Sequence, residues 1–419
     1  MSYYHRIKKI NENLEEEIMC DTLVTLGNST KDGNVVFGKN SDRPQSEAQL
    51  VTYLPRTQYS KGEEVKCTYI SIPQVSETHE TILSQPYWMF GAEMAANSYG
   101  VVIGNEAVYS REDYQDLGLL GMDLLRLGVE RGQSAKEALN IITDLLEKFG
   151  QGGGCAYGEQ GWTYHNSFLI ADTKEAYVLE TADKWWIVEI VKDVRSISNN
   201  LSIRGKGDMR RKGIIQHAIE KGYCKDDNDF DFAIIFSDPQ IPDKFSPYTR
   251  EGCSLAMLNE NNQKITPALM MEFLREHNVG ICMHGSFQST SSQVSHLKKD
   301  GKSIHWFTGG TLPCLNIFKP YIFPGLGQIF STEKPGPYKE LDSSWFWSRH
   351  KEFIRPYKKR SIKPEKQEYI NRLRMIEKKL LSDVEIVTNQ ETSLSSNDFT
   401  KKVITLNNKA WELAEELIK

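Results

Sequence analysis

The sequence lacks any run of about eighteen apolar residues, so no stretch reads as a membrane-spanning helix. It also lacks positive charge: 51 Lys and Arg face 56 Asp and Glu, which leaves no electrostatic footprint for nucleic acid. No CxxC pair occurs. The seven cysteines (Cys20, Cys67, Cys155, Cys224, Cys253, Cys282 and Cys314) are scattered and odd in number, which excludes a zinc ribbon or a thioredoxin-type motif built on that spacing. Residues 1–18, MSYYHRIKKINENLEEEI, have no apolar stretch of the secretory kind, so a cytoplasmic location is expected. A phosphate-binding loop is missing too, because the Gly-rich piece 150–154 follows a helical pattern rather than opening one. No internal repeat is visible.

What is present is a chain with the composition of an ordinary globular protein, long enough to bury a sizeable core. Residues 21–39 read as a β-hairpin around the turn signal Lys31-Asp32-Gly33-Asn34. Further strands are expected at 50–54, 65–72, 101–105, 168–171, 176–180, 185–191 and 194–201, several of them close enough in sequence to pair antiparallel. Helical spacing marks 119–131 before Gly132, and a capping box at Ser134 and Glu137 starts a helix that runs to Phe149. A basic helix is expected to lead to Tyr223, and Thr266-Pro267 opens another. Residues 280–320 read as short strands and turns, and from about 344 the chain is charged and helical. Strands in two groups with helices outside predict an α+β layered sandwich.

Cys20 begins the first strand, behind a hydrophilic segment. A two-stranded hairpin brings its ends together, so the FGKNSDRP stretch, treated as a loop at 39–43, should lie beside Cys20. That juxtaposition sets a thiol next to a cation, an amide and a carboxylate. Geometry alone leaves two readings: a buried strand cysteine near a polar turn, or a nucleophile.

The segment Met19-Cys20-Asp21-Thr22-Leu23-Val24 followed by FGKNSDRP resembles the start of the secernin and C69-type dipeptidase family of N-terminal-nucleophile hydrolases. The stretches at 86–108, 118–139, 281–297 and 305–323 are similar to the same family in the same order, so the resemblance covers roughly 20–325. It implies a four-layer αββα sandwich over 20–340, with 1–19 as a propeptide or leader and 341–419 as a helical C-terminal extension. It also implies that Cys20 is the nucleophile and that its own α-amino group is the general base. An α-amine with a pKa near ~8 can take a proton from a thiol near ~8.5, whereas an amide nitrogen cannot. Cys20 would thus be inert until residues 1–19 leave, by self-cleavage after Met19 or by initiation at Met19.

The same resemblance assigns Asp42 to orienting the α-amine, with Asp21 as the nearest alternative, and Lys39 to a charge beside the thiolate. It gives Asn105 the side-chain oxyanion donor, Asn199 a second active-site asparagine with Asn200 as rival, and Arg250 a place in substrate binding. The expected reaction is hydrolysis of a dipeptide through a thioester. The alternatives are an acyl-amide hydrolase or acyltransferase of the penicillin V acylase or bile salt hydrolase kind, and a secretion-associated binding protein. No metal or organic cofactor is called for, and a homo-oligomer is expected. Cys282 and His284, two possible ligands with no third in sequence, read as core and turn residues, and Trp162, Trp185 and Trp186 read as packing.

Overall fold

The computed structural model describes residues 20–159, 161–240, 248–323, 342–358, 363–389 and 395–419; the expected leader, 1–19, lies outside the described residues. Two antiparallel sheets dominate. The first runs Val194–Ile197, Asp21–Thr25, Val35–Pro44, Phe287–Leu297, Ile304–Phe307 and Lys319–Ile322 in spatial order. The second runs Met209–Arg210, Trp185–Ile190, Ala176–Ala182, His165–Ala171, Val102–Val108, Met94–Asn97, Thr81–Pro86 and Gln49–Leu54.

The two sheets face one another through strand faces set by the period of two. Val24, Val35 and Phe37 of the first sheet pack on Val102, Val108, Leu169 and Val178 of the second. The opposite face of the second sheet carries Ile103, Phe168, Ile170 and Leu179, which bury the helices Gly121–Arg131 and Ala135–Phe149. Outside the first sheet lie Arg250–Glu260 and Pro267–Phe273, with Leu258, Met270, Met271 and Leu274 against Leu23, Val36 and Val294. The architecture is therefore αββα.

Local signals explain most of these elements. Ser134 caps its helix by accepting from the Glu137 backbone, and Gly150 ends it at φ +73°. Thr266 accepts from the Leu269 amide and Pro267 occupies the first turn. The expected capping box is only half made, since the Glu137 carboxylate takes the Gln133 amide instead.

Three expectations are corrected. The return strand of the hairpin does not give way to a loop at 39–43; it continues to Pro44, because Phe287–Leu297 supplies a partner along its whole length. That partner is eleven residues long, where short strands were expected. Its run of Ser and Thr has weak apolar patterning, and buried side-chain hydrogen bonds hold several of them, as with Ser292 to Asn40 and Thr290 to Gln49. The single strand expected at 65–72 is two, Glu64–Lys66 and Ser71–Pro73, paired as a small hairpin.

The C-terminal helices Phe346–Phe353, Pro364–Asn389 and Ser396–Leu417 share a core with the first sheet: Leu373, Leu380, Val403, Ala410 and Trp411 belong to one cluster with Trp306, Phe307 and Tyr321. Glu377 binds Arg275 through both carboxylate oxygens, at 2.7 and 2.9 Å, in the interior.

Between the sheets there is no room for a side chain at Gly104. A Cβ there would stand 2.5 Å from Lys39 Cδ and 2.9 Å from Thr22 Oγ1. Gly104→Ala should lower stability by about 1–3 kcal/mol, the usual cost of overpacking. A urea-unfolding midpoint equal to the parent's would refute the close approach.

Candidate active site

Cys20 lies buried at the end of the first strand, where the hairpin register sets Asp21 opposite Asn40 and Thr22 opposite Lys39. Its sulfur is 3.2 Å from the Asp42 amide, which donates to it, and 3.6 Å from the Asp42 carbonyl. Its backbone nitrogen donates to Asn199 Oδ1 at 2.7 Å. Its carbonyl accepts from Ser198 Oγ at 3.2 Å and from Arg250 at 3.0 Å.

Arg250, the first residue of its helix, also donates to Asp21 Oδ2 and to Asn199 Oδ1, both at 2.8 Å. Arg250, expected in substrate binding, thus ties Cys20, Asp21 and Asn199 together. Of the two candidate asparagines, Asn199 is the one that touches Cys20, and its Nδ2 is held by the Ala107 carbonyl at 2.9 Å.

Asp42 is wholly buried. Ser289 Oγ donates to its Oδ1 at 2.6 Å, and Oδ2 has no hydrogen-bond partner among the described residues. Burial pushes the Asp42 carboxyl well above its usual range, against the pull of Ser289 and Arg250. Asp21 is raised to about 6, again by burial, with Arg250 opposing. The Cys20 thiol is pushed well up by burial, while Lys39 draws it down.

Lys39 crosses to the second sheet, donating to Glu106 Oε2 at 3.0 Å and to the Asn105 carbonyl at 2.6 Å. Burial works to lower its ammonium, but Glu106, Cys20 and Glu93 together raise it. Burial also raises the Glu106 carboxyl, to about 8. Both Glu106 oxygens nevertheless accept hydrogen bonds, one from Thr22 and one from Lys39, as an ionised carboxylate does. Lys39 and Glu106 form a buried salt bridge.

Asn105, where a side-chain oxyanion donor is expected, sits in the strand Val102–Val108. Gly104 and Glu106 face the first sheet, so Asn105 must face the helices. Its Nδ2 donates to Asn166 Oδ1 at 3.1 Å and lies 3.4 Å from Met122 Sδ. The residue that does face Lys39, Glu106, was missed. Its signal was a lone carboxylate within an apolar strand, two positions from a glycine. Ser289 and the buried Arg43, which binds Glu47, Glu93 and the Cys155 carbonyl, were missed as well. Cys282 and His284 are not alone either, because the fold brings His277 and Cys314 to them.

A model of peptidase family C69 matches residues 20–284, well over half of the chain, and begins at Cys20 itself. The chain belongs to peptidase family C69. Members of a peptidase family hydrolyse amide bonds, and the match starts at the buried Cys20 described above. Among solved structures, it is similar to the conjugated bile acid hydrolase from Clostridium perfringens, at 14% identity over 77% of this chain and 99% of that one, with a TM-score of 0.46. It is also similar to penicillin V acylase from Agrobacterium tumefaciens, at 12% identity over 77% and 99%, with a TM-score of 0.44. Likenesses this distant carry nothing about the C69 chain's substrate. No helix among the described residues is long and apolar enough to cross a membrane.

Removing one member of the Lys39–Glu106 salt bridge leaves a buried charge with no counter-ion. Glu106→Ala should cost about 3–5 kcal/mol, and Glu106→Gln, which keeps an acceptor for Lys39, distinctly less. Guanidinium-unfolding curves of both variants check this; parental stability in Glu106→Ala would remove the pair from the protein's stabilising contacts.

Proposed function

We propose that this protein is a dipeptidase whose nucleophile is Cys20, exposed as the N-terminal residue when 1–19 are removed, with its α-amine as general base. The observation that carries the reading is the arrangement around one residue: the Cys20 sulfur at the Asp42 amide, its nitrogen at Asn199, and a buried Asp42 oxygen without another partner among the described residues. Family membership supports a peptide substrate.

In the proposed reaction the neutral α-amine takes the proton from Sγ, and the thiolate attacks the substrate carbonyl carbon. The resulting ammonium, held by Asn199 Oδ1 and the Asp42 carboxylate, passes its proton to the leaving nitrogen as the C–N bond breaks. A thioester remains. Water, deprotonated by the amine, then opens it and restores the thiol. Lys39 favours the thiolate electrostatically, since its charge works against the burial that holds the thiol protonated. Arg250 keeps Asp21, Cys20 and Asn199 in register.

Intact mass of the active protein should correspond to a chain starting at Cys20. In protein expressed from Met19, so that initiator removal exposes residue 20, Cys20→Ala should abolish release of amino acids from dipeptides. Asp42→Asn should lower kcat about 10²–10⁴-fold, the usual worth of a positioned base, while the thiol remains open to alkylation. Parental turnover in Asp42→Asn would reassign the amine's orientation, with Asp21 the nearest carboxylate. Faster turnover of acyl-amides than of every dipeptide tried would overturn the dipeptidase reading but leave the nucleophile in place.

A further inference from the structure

Four side chains from two separate connections meet behind the first sheet. His277 and Cys282 lie in the connection after helix Pro267–Phe273, His284 just before strand Phe287–Leu297, and Cys314 in the 3₁₀ turn Pro313–Leu315. One ligand atom from each lies within 4.8 Å of all the others. We propose that His277, Cys282, His284 and Cys314 form a structural zinc site.

The geometry already approaches a coordination shell. Cys314 Sγ is 3.3 Å and Cys282 Sγ 3.6 Å from His284 Nε2. In a tetrahedral site with Zn–S of about 2.3 Å and Zn–N of about 2.0 Å, sulfur and nitrogen stand roughly 3.5 Å apart. The two imidazole rings lie 5.1 Å apart at 65°, so the two do not stack face to face. Both cysteines are buried, His284 is half-buried and His277 is exposed, which leaves an entry side for the ion.

A second shell is also present. The Lys358 carbonyl lies 3.3 Å from His284 Nδ1, and a carbonyl can only accept, so the ring proton belongs on Nδ1. The Nε2 lone pair is thereby left facing both sulfurs. Two sulfurs and two imidazoles in a tetrahedral arrangement are the donor set of zinc. The spacing, His-x₄-Cys-x-His with the fourth ligand 30 positions after His284, matches no CxxC pattern, which is why the sequence did not display it.

The site would do more than hold a turn. The Met283 amide, between two of the ligands, donates to Ser289 Oγ at 3.0 Å, and that hydroxyl donates to Asp42 Oδ1. The Ile281 carbonyl, one residue before Cys282, accepts from Asn40 Nδ2 at 2.8 Å. Zinc would thus fix the turn that orients the active-site aspartate, without touching substrate.

The test is metal analysis of the full chain, purified under reducing conditions from zinc-supplemented cells. About one zinc per chain is expected, with none retained by the double variant Cys282→Ser and Cys314→Ser. After the zinc is stripped, cobalt(II) should give tetrahedral d–d bands and a thiolate charge-transfer band. Should the double variant fail to fold, Cys314→His keeps four ligands and should still bind metal, with a weaker charge-transfer band. Zinc-free protein that takes up no cobalt would overturn the site, as would zinc content unchanged in a folded double variant. None of these readouts depends on the peptidase reaction.

Discussion

The salt bridge of Lys39 and Glu106 is the contact on which the arrangement of the two sheets depends. Each residue belongs to a different sheet and each is wholly buried, so neither charge has water to fall back on. A buried ion without its partner costs several kcal/mol, so the sheets are held to the register that brings these two side chains together. Gly104 lets them do so, because a methyl group there would displace the Lys39 stem. Thr22 closes the second Glu106 oxygen, and Cys20 stands two residues before Thr22, directly ahead of the strand Asp21–Thr25. The position of Cys20 is therefore tied to the same pair.

Around Cys20, carboxylates sit on either side and each is restrained from a different direction. Asp21 is drawn by Arg250 from a helix outside the first sheet. Asp42 is held by Ser289 from the neighbouring strand, whose hydroxyls line an interior that apolar residues would fill in a stability-driven core. Keeping several ionisable groups dry is expensive. The interior of this sandwich accepts that cost where the chemistry sits and offsets it with the large aliphatic clusters on both helix-facing sides.

The C-terminal helices belong to this same economy. They cover the edge strand Lys319–Ile322, with Asn407 donating to the Pro320 carbonyl and the Trp411 indole to the Tyr321 hydroxyl. Covering an edge removes a row of unpaired backbone groups. The turn after the first of them, Phe346–Phe353, also brings the Lys358 carbonyl to His284, and the Lys358 side chain to Gln288 at 2.9 Å. The tail is thus joined to the turns that back the active site.

The sequence alone determined the family, through long motifs in order, and with it the cysteine at which the family match begins. It also determined the helices whose caps and glycines mark their ends, and the hairpin that sets Cys20 beside the FGKNSD segment. Local patterns suffice for these because caps, turns and period-two alternation act between residues near in sequence. It did not determine which face of a strand a polar residue takes. Asn105 and Glu106 are neighbours with opposite surroundings, and only the second sheet's packing against Lys39 decided between them. Nor did it reveal the long serine-rich strand, whose register comes from its partner, or the role of Arg250, which reaches Cys20 across 230 positions. The meeting of Cys314 with His277, Cys282 and His284 was likewise the work of tertiary structure, because Cys314 lies 30 positions beyond the nearest of the three residues it joins.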